Sequence, residues 1–120
     1  MSPQEIFNTV SLHLINQRCK SVDEQSYFCC YRGPNGLKCA IGCLIPDNMY
    51  IKKMDNGYNV MQLVAEFNLP EYFNDNSELL KLLQIVHDNS DYKFNINKLK
   101  IQLKEVATIF NLNTYILETI

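Results

Sequence analysis

Tyr27–Tyr50, YFCCYRGPNGLKCAIGCLIPDNMY, carries four of the chain's five cysteines and three of its four glycines. An apolar, β-prone run (Phe28 to Arg32) is followed by a Gly33–Gly36 turn built on Pro-Asn-Gly, then by a second apolar run with cysteines at 39 and 43. Pro34 presets φ for a turn, and Asn35-Gly36 supplies two residues that tolerate positive φ. The pattern predicts a constrained unit with one small β-hairpin around residues 28–40. Leu37 to Ile45 reads equally as the return strand or as a short buried helix ending before Pro46, since a short apolar run has no decisive period.

Outside this unit the pattern is helical. Ser2 and Glu5 have capping-box spacing with Pro3 at the first helical position, and Ile6, Phe7, Val10 and Leu14 line one face as far as about Arg18. Lys20 to Ser26 reads as a loop, and Asp47 to Asn59 as a polar surface connection. Asn59 with Gln62 repeats the capping spacing ahead of Val60, Leu63, Val64 and Phe67, and Pro70 stops that helix. Asp75 with Glu78 predicts the start of a further helix with the stripe Leu79, Leu83, Val86 and His87. A last long helix is expected from near Asn97, carrying Leu99, Leu103, Val106 and Phe110. The expected fold is α+β: a compact, mainly α-helical single domain over residues 1–120, with four or five helices and one small hairpin.

Composition narrows the function classes. With 47% hydrophobic and 20% charged residues the 120-residue chain can bury a core without cross-links. A net charge of −2 gives no general attraction for nucleic acid or anionic membrane. Lys93, Lys98, Lys100 and Lys104 lie in a stretch free of acid, but four lysines in an acidic chain read as a solvated helix face, so nucleic-acid binding is not expected. The opening MSPQEIF lacks the basic start of a signal peptide, and no apolar run reaches the roughly 18 residues of a membrane span. A cytoplasmic location is the expectation, where an odd number of cysteines stays reduced.

The run Cys30-Tyr31-Arg32-Gly33-Pro34-Asn35-Gly36-Leu37-Lys38-Cys39-Ala40-Ile41-Gly42-Cys43-Leu44-Ile45-Pro46-Asp47, followed by Tyr50, resembles a family of small proteins encoded by tailed phages, prophages and bacteria. Pro3-Gln4-Glu5-Ile6-Phe7 and Ile85-Val86-His87-Asp88-Asn89 extend the resemblance over most of the chain. Cys29 beside Cys30 blurs which of the two matches the family's cysteine. The resemblance implies a phage or mobile-element accessory protein in a bacterial host cytosol, of a kind that acts by binding a host component.

Three chemistries suit the cysteine unit. As a non-enzymatic binder, the protein would occlude a host protein through Tyr31, Arg32, Asn35, Asp47 and Tyr50, which cluster around the turn and the loop after it; Arg32 and Asp47 would alternatively pair internally. As a cysteine-dependent enzyme, it would use Cys39 as nucleophile and His87 as base, with Asp91 the better-placed orienting acid because Asp88, adjacent on the helix, diverges by about 100°. As a zinc-stabilised module, it would ligate through Cys30 (or Cys29), Cys39 and Cys43, with His87 (or Cys19) as the fourth ligand, although their spacing departs from paired-cysteine knuckles. The binding reading needs no cofactor, and free cysteines packed in a core explain the thiols without chemistry.

Overall fold

The computed structural model describes residues 1–119. Helix α1 (Pro3–Gln17) begins at the expected capping box, with both reciprocal bonds between Ser2 and Glu5 formed, and ends at Arg18 in the left-handed conformation, φ 67°. Helix α2 (Val60–Glu66) is capped by the Asn59–Gln62 box in the same way. Helix α3 (Glu71–Asp75) starts directly after Pro70, and the chain bends at Asn76 before α4 (Ser77–Asp88). The Asp75–Glu78 box does not form, because Asp75 closes the preceding short helix instead of capping the next. Helix α5 (Ile96–Ile109) starts within one residue of the expected Asn97 and is capped by Asn95, and a short α6 (Tyr115–Glu118) comes after it.

The apolar stripes become the core. Ile6, Phe7, Val10 and Leu14 of α1, Leu79 and Leu83 of α4, and Leu99 and Leu103 of α5 are all sealed from solvent. Each such side chain contributes roughly 1.5–3 kcal/mol relative to exposure. Helix α1 packs against α4, α5, α6 and the 42–44 turn, while α4 also packs on α2, α3 and α5. The two ends of the domain meet where Gln4 Nε2 donates to the Asn113 carbonyl (3.1 Å) and the Asn113 N–H donates back to Gln4 Oε1 (2.9 Å).

The β-hairpin is absent, and the domain is helical, not α+β. Among the described residues there is no sheet; two isolated bridges pair Cys19 with Lys93 and Val22 with Cys29. The turn forms as expected, as a 3₁₀ turn at Pro34–Gly36 with Asn35 and Gly36 at φ 59° and 76°. Beyond it the chain does not return as a strand. Leu37 is extended, and the backbone then turns again at Gly42–Leu44, neither a strand nor an α-helix. The reason lies in the backbone's hydrogen bonds. The Tyr31 and Arg32 N–H groups donate to the Asp55 carboxylate (2.6 and 3.3 Å). The Lys38 N–H donates to Gln17 Oε1 (3.0 Å), the Lys38 carbonyl accepts from His13 Nε2 and Gln17 Nε2 (both 2.8 Å), and the Ile41 N–H donates to Gln84 Oε1 (3.1 Å). Every one of these backbone groups is satisfied by a side chain from elsewhere, so no cross-strand ladder is required.

Residues 47–59 are more than a surface connection. A 3₁₀ turn at Lys52–Asp55 buries Met54 and aims Asp55 at the Tyr31–Arg32 backbone.

Gly42 closes the unit. A Cβ there would sit 1.9 Å from the Tyr31 carbonyl oxygen, whereas at Gly36 a Cβ would meet open space. Gly42→Ala is therefore expected to cost about 3 kcal/mol or more, because backbone must move. Gly36→Ala, which bears only the left-handed φ, should cost about 1–2 kcal/mol. Urea unfolding of the two variants checks this; equal losses would mean that the 31–42 contact is not constraining.

Candidate functional site

Two neighbouring constellations arise from the cysteine unit. The first is organised by Asp55, whose carboxylate accepts the Tyr31 and Arg32 N–H groups and the Tyr50 hydroxyl. Above it, the Arg32 guanidinium donates to the Ile45 carbonyl (2.6 Å) and to Asp47 Oδ1 (2.7 Å), and lies 5.0 Å from the centre of the Tyr50 ring. Asp47 is solvent-facing, and the Arg32 hydrogen bond with the Lys38 charge at 3.7 Å holds its carboxyl below the usual range. Tyr31 is buried with its hydroxyl donating to the Tyr58 carbonyl (2.6 Å). Burial first, and then the Asp55 contact, push the Tyr50 hydroxyl up. Of the five expected contact residues, Asn35 and Asp47 are exposed, Tyr31 is core, and Arg32 and Tyr50 are engaged internally. The Arg32–Asp47 pair locks the unit.

The second constellation joins Cys29 to the C-terminal end of α4. Cys29 Sγ, a His87 ring nitrogen and an Asp88 oxygen lie within 4.8 Å of one another, the one such trio of potential ligands among the described residues. His87 is fully buried, its Nε2 3.0 Å from the Ser21 backbone nitrogen and its Nδ1 2.9 Å from Asp88 Oδ1. A backbone N–H can only donate, so Nε2 is the acceptor and the ring proton sits on Nδ1, donated to Asp88. The expected divergence of His87 and Asp88 is overturned at the last residue of α4. There, Gln84 Nε2 donates to Asp88 Oδ1 (2.7 Å) and draws the carboxylate back over the ring. Asp91 is exposed and takes no part. Burial works to raise the Asp88 carboxyl, but the hydrogen bonds from His87, Cys29 and Gln84 outweigh it and hold it below its ordinary 3.8.

This arrangement disfavours the Cys29 thiolate. Burial, then the hydrogen bond to Asp88, push the Cys29 thiol up to about 12. Cys39 is buried, its sulfur accepting the Gly42 N–H (3.3 Å), and burial pushes its thiol up as well. No hydrogen bond links Cys39 to His87, whose two nitrogens are both engaged elsewhere. Burial also raises Cys30, and Cys43 to about 12. Both donate their thiol protons to nearby carbonyls, of Phe28 and Ala40. The structure does not gather Cys30, Cys39, Cys43 and His87 around one point, and the trio that it does gather is poorly suited to zinc. A metal at Nδ1 would require the lone pair that the protonated nitrogen lacks, and shifting the proton to Nε2 would set it against the Ser21 N–H.

Beside the trio opens a pocket of about 360 Å³, walled by Cys29, Tyr31, Tyr58, Val60, Met61 and Ile85, with Lys81, Gln84 and Asp88 on its α4 side. Its size falls in the range of small-molecule or side-chain binding pockets. Sequence reasoning missed it because its walls come from three separate segments. Comparison with protein-family models, curated proteins and solved structures found no match.

Iodoacetamide should alkylate Cys29 about 50-fold more slowly at pH 8 than an ordinary thiol, the loss of thiolate outweighing its greater nucleophilicity. Asp88→Asn, which removes the anion disfavouring the thiolate, should speed it; peptide mass spectrometry reads both, and a fast wild-type Cys29 would contradict the hydrogen bond to Asp88. Because the folded Asp88 carboxyl is held below 3.8, its stabilising contribution is complete above that value and is lost as pH falls through the folded value. The urea midpoint should accordingly drop less on acidification in Asp88→Asn than in the wild type.

Proposed function

We propose that the protein is a non-enzymatic binding protein, a phage or mobile-element accessory factor that seats on a host cytosolic protein and occludes its surface. One observation carries this reading. The cysteine unit spends its reactive groups on internal bonds, yet displays Tyr27 and Phe28 at 75% and 76% exposure immediately before Cys29 of the pocket wall. Tyr27 stands at φ 60°, a conformation rare outside glycine, asparagine and aspartate. Two large aromatic side chains held out on a tight turn have no role in the core, and Met61 and Ile85 on the pocket rim are 48% and 42% exposed. Aromatic anchors beside a pocket, with the backbone already fixed, are the composition of an interface hot spot and lower the ordering cost of association. The Arg32–Asp47–Tyr50 lock fixes the chain that follows the two aromatics; Asn35 and Asp47 remain open to a partner. No described helix is long and apolar enough to cross a membrane.

Immobilised protein exposed to host lysate should retain a partner that is lost with Phe28→Asp and kept with Ile101→Asp, a matched change at an exposed apolar position on α5. Phe28→Asp should leave the fold intact, since Phe28 is largely solvated. Equal retention by the two variants, or retention of nothing by the wild type, would overturn the reading.

A further inference from the structure

We infer that the pocket beside Phe28 receives a basic side chain, a lysine or arginine of the partner, whose charged head pairs with Asp88. This rests on the binding reading. Asp88 is only partly buried, its side chain 39% exposed, and it lies on the pocket wall. Its hydrogen-bond donors are neutral: the Gln84 amide and the Nδ1–H of the imidazole fixed by Ser21, with the Cys29 sulfur within 4.8 Å. These neutral donors orient the carboxylate without pairing its charge. An ionised carboxylate offers about four acceptor sites, so at least one remains for an incoming donor.

The cations nearby do not fill that role. Lys20 Nζ donates to the backbone carbonyl of Asp88 (2.7 Å), and His87 is the only basic residue within 4.0 Å of the carboxylate among the described residues. Lys81 lies on the same helix seven residues back, about 10 Å along the axis, and is exposed. Lys81 shares the pocket wall but forms no ion pair with Asp88 among the described residues, whereas the carboxylate is held in place by Gln84 and His87. The remaining walls suit the stem of a long basic side chain. Tyr31 and Tyr58 offer aromatic surface, and Val60, Met61 and Ile85 line the path with apolar atoms. A volume of about 360 Å³ accommodates such a side chain with room for water.

The test uses the isolated protein and three probes of matched length: n-butylguanidinium, n-butanol and butyrate. In ¹H–¹⁵N NMR titrations, n-butylguanidinium should shift the amides of Cys29, Ile85 and Asp88 with a Kd on the order of millimolar. Butanol and butyrate should bind at least about tenfold more weakly. Asp88→Asn should weaken guanidinium binding about tenfold or more, and Lys81→Gln, at an exposed position that leaves the core untouched, should strengthen it about twofold by removing a like charge. Butanol binding as well as guanidinium, butyrate binding best, or a Lys81→Gln loss would each overturn the inference. A protein that captures its partner through Phe28 yet ignores guanidinium overturns this inference alone; one that binds guanidinium yet captures nothing overturns the binding reading instead.

Discussion

The structure depends on side chains taking over backbone hydrogen bonds in the cysteine unit. Gln17 of α1, Gln84 of α4 and Asp55 of the 52–55 turn together satisfy amides and a carbonyl between Tyr31 and Ile41. Burying an unpaired amide costs roughly 1–3 kcal/mol, so an irregular segment can lie against a core only if partners of this kind exist. Gln84 has a double role, accepting from the Ile41 N–H with its oxygen while its nitrogen holds the Asp88 carboxylate. Packing of the loop and geometry of the His87–Asp88 pair are thus set by one amide. Ser21 couples them again, since its N–H fixes the His87 tautomer while its hydroxyl donates to the Cys30 carbonyl (2.8 Å).

This coupling bears on the meaning of the thiols. A cysteine near a histidine and a carboxylate invites a catalytic reading, yet direction of donation decides the chemistry. Here the thiol and the imidazole both donate toward the same carboxylate, so the acid stabilises two protonated neighbours, and the imidazole's acceptor nitrogen is already taken by a backbone amide. A nucleophilic pair needs the opposite arrangement, with the imidazole accepting the thiol proton.

The helices are legible where local rules decide them. The two capping boxes at Ser2 and Asn59 and the apolar stripes of α1, α4 and α5 match their spacing, whereas the same spacing at Asp75 and Glu78 gives no box because Asp75 belongs to α3; the burial of His87 follows from its place on the α4 stripe. The hairpin expectation fails for a physical reason. Turn chemistry at Pro34–Gly36 is local and formed, but the partners of the flanking backbone are not local: Ile41 finds Gln84 across 43 residues and Tyr31 finds Asp55 across 24. Asp55 sits in KKMDNG, where only the apolar Met54 hints that the turn is anchored. The Arg32–Asp47 pair is inferable from an arginine and an acid bracketing one unit; the Asp88 cluster is not, because helix geometry alone separates adjacent side chains and only Gln84 and Cys29 bring the carboxylate back.

The pairing of Gln4 with Asn113 spans 109 residues, and α6 packs against α1. During synthesis the amphipathic face of α1 therefore emerges long before α5 and α6 arrive to cover it. Contacts so distant in sequence form slowly and leave apolar surface uncovered meanwhile. Ribosome-bound nascent chains ending before residue 113 lack this closure, so completion of the fold waits until Asn113 has left the exit tunnel.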